Sequence, residues 1–188
     1  MFTLASASPR RRELLAQVGL KPRVAVYAID ETPNPGEAPD DYVSRMAKEK
    51  LLKALQSEAG IVLAADTVVV HNSKVLGKPR DQSDNAEMIR QLSGKTHAVI
   101  TAVAVGDREG HIVRAVRSEV RFASLDAATI QGYAATGEGL DKAGGYGIQG
   151  IAGGFVAGIT GSYSAIVGLP LFEAVEMLRS AGALAAWP

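Results

Sequence analysis

Residues 4–15 read LASASPRRRELL, placing three guanidinium groups directly after two serines and a proline. A helix starting at Pro9 needs a cap, which Ser8 can supply. Positive charge in its first turn, however, opposes the helix macrodipole. Two readings fit: solvated surface, or an anion in front of the turn. Loop serines Ser6 and Ser8, free amides at a helix start, and Arg10 or Arg11 together make a phosphate site. Successive helical residues point about 100° apart, so all three arginines cannot face one ligand, and Arg12 is read as surface.

Asp66 is the sharpest anomaly. It interrupts the apolar run LAADTVVV at 63–70. A carboxylate inside such a strand must be paired, protonated or metal-bound. It is either a structural group bonded to backbone amides or a functional one. Glu31 ends a strand-like run before a proline-rich loop, and ligands of α/β sheets gather at strand ends. Asp30 beside it is the weaker candidate. Lys50 shares a helical face with Val43, Met46, Ala47 and Ala54, so it either snorkels or serves a site. Lys78 lies between Gly77 and Pro79, and Lys142 opens the glycine-rich stretch KAGGYGIQG. Glycine beside a cation allows close approach to phosphate. Gln149 carries the donor and acceptor that suit a nucleobase edge. Several cations, several amides and two carboxylates together suggest a polyphosphate with bound Mg²⁺ or Mn²⁺. No dinucleotide fingerprint and no Walker-type loop occurs.

The bulk composition narrows the classes. The chain has 188 residues, 47% hydrophobic and 21% charged, which fits one globular domain over 1–188. Lys plus Arg and Asp plus Glu are 20 each, so no general nucleic-acid face is expected and any anion site is local. An aromatic content of 5% also speaks against a stacking platform for single strands. There is no cysteine, which excludes disulfides, thiolate nucleophiles and cysteine–zinc sites. His71, His97 and His111 lack metal-ligand spacing. No signal-peptide pattern or membrane span is read, so a soluble cytoplasmic protein is expected.

These residues need elements to hold them. Apolar periodicity predicts strands over 2–5, 23–29, 61–70, 75–76, 97–106, 112–123, 155–159 and 164–167. It predicts helices over 9–18, from Asp40 or Asp41 to about 57, 84–92 behind a Ser83 cap, after the Asp126 cap to about 135, and 169–180. Residues 136–154 are rich in glycine and show almost no regular pattern. Strands interleaved with helices give an α/β class, and the short turns between strands imply a mixed sheet.

The chain resembles the Maf proteins, which are nucleoside triphosphate pyrophosphatases. The matching runs are LASASPRRRELL, Asp30-Glu31, YVSRMAKEK from Tyr42, AADTVVV from Ala64 and LGKPRD from Leu76. They continue with LSGKTHAVITAV from Leu92, DKAGGYGIQG from Asp141 and GSYSAIVGLPL from Gly161. The resemblance implies a two-lobed α/β fold with an elongated mixed sheet and a central cleft, similar to the inosine triphosphate pyrophosphatases. It implies hydrolysis of a nucleoside triphosphate to monophosphate and pyrophosphate with a divalent cation, and a homodimer. The family's proton acceptor falls on Asp66. Its other catalytic or phosphate-handling positions fall on Ser6, Arg11, Glu31, Lys50 and Lys78, with Glu31 and Asp66 holding the metal. Substrate choice falls on Arg10, Thr67 and Gln149. The YGIQG and GSYSAIVGLPL runs look like the branch acting on dTTP and UTP. Alternatives are the sibling branch acting on methylated GTP, and a nucleotide-binding regulator of cell division without turnover.

Overall fold

The computed structural model describes residues 1–187. In chain order the elements among them are β1 (Thr3–Ala5), α1 (Pro9–Gln17), β2 (Arg23–Ala25), α2 (Pro39–Leu55), β3 (Val62–His71), β4 (Lys74–Leu76) and α3 (Gln82–Leu92). There follow β5 (Thr96–Gly106), β6 (His111–Phe122), α4 (Ala127–Thr136), β7 (Val156–Thr160), α5 (Tyr163–Val167) and α6 (Leu171–Ser180). The strands hydrogen-bond in the order β2-β1-β3-β5-β6-β7, with β4 pairing off β3. β1 runs parallel to β2 and β3, whereas β4 is antiparallel to β3 and β7 to β6. The expected mixed α/β sheet is therefore present.

The chain forms two compact units. The first comprises Met1–Asp66, Thr101–Val116 and the segment from Gly168 onward; the second comprises Thr67–Ile100 and Arg117–Val167. In the first unit, α1 starts with Pro at its first position, buries Leu14 and Leu15, and is followed by Gly19 at a φ of +75°. That left-handed conformation suits glycine and ends the helix. Ser8 occupies the cap position, but its side chain makes no capping bond. β2 stops at Ala25, short of the expected residue 29, because its partner β1 offers only three residues, Thr3 to Ala5. α2 buries Val43, Met46, Ala47 and Ala54 on the face that periodicity assigned, and Leu51 and Leu55 with them. Buried Glu58 is satisfied by the Thr3 hydroxyl at 3.4 Å, the Tyr27 hydroxyl and the Arg23 guanidinium.

The second unit packs Ile89, Leu92, Val120, Ile130, Tyr133 and Ala152 around Phe122. Phe122 sits edge-to-face with His97, Tyr146 and Phe155. α3 is capped by Asp81, whose carboxylate accepts from the Asp84 amide at 2.8 Å; Ser83 lies inside the helix. Asp126 caps α4 as expected, accepting from the Thr129 amide at 2.7 Å. Residues 163–167 form helix α5 where alternation suggested a strand. Ser162 decides this locally: its hydroxyl accepts from the Ala165 amide at 3.2 Å and its carbonyl from the Ile166 amide at 3.1 Å. A five-residue run is too short for period alone to separate the two states.

His97 makes this unit sensitive to acid. It is 3% exposed, and its Nε2 meets the Tyr146 hydroxyl at 2.7 Å. Burial, with a smaller contribution from His71, pushes its pKa down to about 4. The folded state therefore keeps His97 neutral where the unfolded chain takes up a proton. The resulting penalty is absent above pH 6.5 and grows as pH falls toward 4, reaching about 3 kcal/mol. Denaturant melts of the wild type and His97→Gln between pH 7 and 4 are expected to diverge, the wild type losing stability faster. Parallel curves would refute the assignment.

Candidate active site

α2, the loop after β2 and the middle of β3 bring three charged side chains of the first unit together. The Lys50 ammonium lies 2.7 Å from Asp66 Oδ1 and 2.7 Å from Glu31 Oε1. The two carboxylate oxygens are thus within twice that distance of one another. Asp66 and Lys50 have side chains only 16% and 17% exposed, whereas Glu31 is 60% exposed. The anomaly of a carboxylate in an apolar strand is resolved by a lysine that the helical period had turned inward. The Asp66 side chain meets this charged partner at its strand's midpoint, with Ala64 and Ala65 buried just before it.

The N-terminal arginine turn belongs to the same unit. Buried Ser6 accepts from Arg11 Nη1 at 3.0 Å and from the Ser8 amide at 3.2 Å. Arg11 Nε donates to the Gly168 carbonyl at 2.8 Å. Burial lowers the Arg11 pKa; the charge of Asp66 opposes that shift, Arg10 adds to it and Glu31 opposes it again. Arg11 therefore feels both carboxylates of the lysine pair. Arg10 is half-buried and Arg12 exposed. Arg11 is thus fixed by Ser6 and Gly168 while its charge interacts with both carboxylates. Among the described residues no group of three or more His, Cys, Asp or Glu side chains is arranged to hold a metal. The oxygen donors that could share one are the pair at Lys50.

A model of the Maf family, described as Maf-like protein, matches residues 1–181. This chain belongs to the Maf family. A protein named dTTP/UTP pyrophosphatase from Shewanella sp. (strain MR-7) is 49% identical, over 96% of this chain and 98% of its own. One of the same name from Hyphomonas neptunium is 51% identical, over 95% of this chain and 94% of its own. A solved HAM1 protein from Coxiella burnetii matches with a TM-score of 0.47 and 16% identity, over 66% of this chain and 73% of that one.

The remaining expected site residues of this Maf chain lie in its second unit. Thr67 follows Asp66 on β3 and is half-buried; Lys78 is exposed in the loop after β4. Gln149 is exposed between two 3-10 turns, Ala143–Gly145 and Ile151–Phe155. Lys142 is engaged within its own segment: its ammonium donates to the Glu138 carbonyl and the Asp141 carboxylate, each at 2.5 Å. The glycine-rich segment is held at several points. Asn85 Nδ2 donates to the Gly145 carbonyl at 2.7 Å, and Glu138 accepts from the Ile151 and Ala152 amides at 2.9 and 3.4 Å. Gly144 has a φ of +69°, and a Cβ there would lie 2.8 Å from Val69. Close packing, together with left-handed φ, explains the glycine at this position.

Sequence reasoning passed over four residues. Asn85 and Glu138 anchor the Gln149 segment, and Tyr42 and Arg45 reach the loop that carries Glu31. Asn85 was open to detection, being a polar residue on the Ala86, Ile89 and Leu92 face of α3. The Tyr42 and Arg45 contacts depend on how the loop folds back, which no spacing rule reports.

Proposed function

We propose that this chain hydrolyses nucleoside triphosphates, dTTP and UTP foremost, to the nucleoside monophosphate and pyrophosphate. The observation that carries this reading is the meeting of Glu31, Asp66 and Lys50 beside Arg11. It occurs in a chain about half identical, over nearly its full length, to proteins named dTTP/UTP pyrophosphatase. Asp66 accepts a proton from a water whose oxygen attacks the α-phosphorus. The bond from that phosphorus to the bridging oxygen breaks, and pyrophosphate leaves with the electron pair. Lys50, Arg11 and the Ser6–Ser8 loop offset the charge that develops on the phosphates; Lys78 and Lys142 are assigned to phosphate as well. Such a transfer needs positioning and charge stabilisation more than covalent help.

Mg²⁺ or Mn²⁺ fits the donor set: two hard carboxylate oxygens already gather around one cationic centre, and neither soft thiolates nor imidazoles are involved. When bound by Glu31 and Asp66, the metal supplies Lewis-acid stabilisation of phosphate charge. Arg10, Thr67 and Gln149 select the nucleotide, with Gln149 reading the base edge. The assembly is assigned as a cytoplasmic homodimer. No helix among the described residues is long and apolar enough to cross a membrane.

A steady-state panel of dTTP, UTP, GTP and methylated GTP, with pyrophosphate as the product measured, tests the activity. Gln149→Ala is expected to lower the dTTP-to-GTP ratio of kcat/KM by about tenfold. An unchanged ratio removes specificity from that residue. Preference for methylated GTP assigns the chain to the sibling branch, and no turnover of any of them would make it a binding regulator.

A further inference from the structure

We propose that Tyr42 and Arg45 are positioning residues that hold the Glu31 backbone so that its carboxylate reaches Lys50 and Asp66. The proposal rests on the reading of Glu31 as a working carboxylate. Glu31 needs such help: its side chain is 60% exposed, and it sits in a segment outside any helix or strand. An exposed long side chain on a free loop would spend little time in one geometry.

Both residues lie near the start of α2, the helix that also carries Lys50. The Tyr42 hydroxyl donates to the Glu31 carbonyl at 2.8 Å. Arg45 Nη2 donates to the next carbonyl, that of Thr32, at 3.0 Å. The same guanidinium grips Glu37 with two bonds of 2.6 Å and reaches Glu49 at 3.3 Å. Its carbon stands 5.6 Å from the Tyr42 ring centroid. Glu37 is held at a pKa of about 2, chiefly by the Arg45 hydrogen bonds. It closes the loop on itself by accepting from the Asn34 amide at 2.9 Å. Asp30 accepts from the Thr32 amide at 2.9 Å.

Two consecutive carbonyls, of residues 31 and 32, are thus tied to two side chains one helical turn apart. A planar fork bound on both prongs fixes direction as well as distance. α2 therefore sets the spacing of Lys50 and Glu31 from a single rigid body. Neither Tyr42 nor Arg45 needs to touch substrate for this.

The test combines hydrogen exchange with Mn²⁺ affinity, read by electron paramagnetic resonance on the full chain, for Arg45→Gln, Arg45→Lys and Tyr42→Phe. Arg45→Gln is expected to speed exchange in residues 30–37 and to weaken Mn²⁺ binding by about tenfold, as loss of a group orienting a ligand does. Arg45→Lys, which keeps the charge but loses the fork, should fall between Gln and wild type. In a Glu31→Gln background the Arg45 change should add nothing. Equal weakening with and without Glu31, or unchanged exchange in 30–37, overturns the proposal. If Glu31→Gln alone leaves Mn²⁺ affinity intact, the metal reading of Glu31 falls. The clamp is then decided by exchange and by the same double-mutant cycle in kcat/KM: additivity refutes it and coupling supports it.

Discussion

Asp66→Asn is expected to lower kcat for pyrophosphate release from dTTP by about three orders of magnitude, as the proposed roles of Asp66 as proton acceptor and charge partner require. The substitution keeps the shape of the side chain, removes its charge and basicity, and turns one acceptor oxygen into an NH₂ donor. Asn can still place an oxygen toward Lys50, so packing in β3 between Ala65 and Val68 is retained. It can no longer accept the proton that the proposed mechanism assigns to Asp66, nor carry the negative charge that balances Lys50 and Arg11. Stability should move little, because Lys50 keeps Glu31 at 2.7 Å. The measurement is steady-state pyrophosphate release with Mn²⁺ present, alongside a thermal melt. A variant that melts like the wild type and turns over within about fivefold of it would remove Asp66 from the chemistry.

The parts of this site that sequence exposes are those where a residue type conflicts with its local period. Asp66 conflicts with an alternating apolar strand, and Lys50 with an apolar helical face. Each conflict is costly in isolation and cheap when the two meet, so each was visible as a single anomaly. Glu31 was marked by a strand end, a weaker signal, and Tyr42 and Arg45, which bond the carbonyls of its loop, were not marked. β2 ends at Ala25, so the position of Glu31 depends on the tied loop that follows and not on an extended strand. Arg45 and Glu37 are eight residues apart and joined through a turn; no period of 2 or 3.6 links them. The glycine-rich segment reads as irregular because its order comes from Asn85 and Val69, which lie elsewhere in the chain, and from Glu138, thirteen residues from the Ile151 amide it accepts from. Ser83 was expected as the cap by type, and the Asp84 amide instead donates to Asp81. Strong periodicity therefore carried the helices and long strands, while contacts between segments carried the anchoring of the loops.

Lys50→Gln is expected to act in opposite directions on turnover and on metal binding. The wild-type ammonium stands 2.7 Å from both carboxylates, at the place where a cation draws on Glu31 and Asp66 together. A positive charge about 4 Å away costs an entering divalent cation roughly 8 kcal/mol at an effective dielectric near 20, before any movement of the lysine. The protein without nucleotide is thus partly self-neutralised, and a divalent ion must compete with its own side chain. Glutamine removes the competitor and leaves two like charges facing each other, which a divalent ion relieves. Mn²⁺ binding to the nucleotide-free chain should tighten by at least about tenfold, or about 1.4 kcal/mol. Turnover should nevertheless fall by about a hundredfold, because the phosphates lose one of the cations proposed to offset their charge. Lys50→Arg keeps the charge and should retain weak Mn²⁺ binding. Unchanged or weaker binding in Lys50→Gln would mean that the lysine and the metal do not share these oxygens. In a nucleotide-bearing site the displaced ammonium has a new partner in the phosphates, so metal and triphosphate should each raise the affinity of the other. That reciprocity is measurable in the wild type as tighter Mn²⁺ binding when a non-hydrolysed nucleotide is present, and it should be smaller in Lys50→Gln.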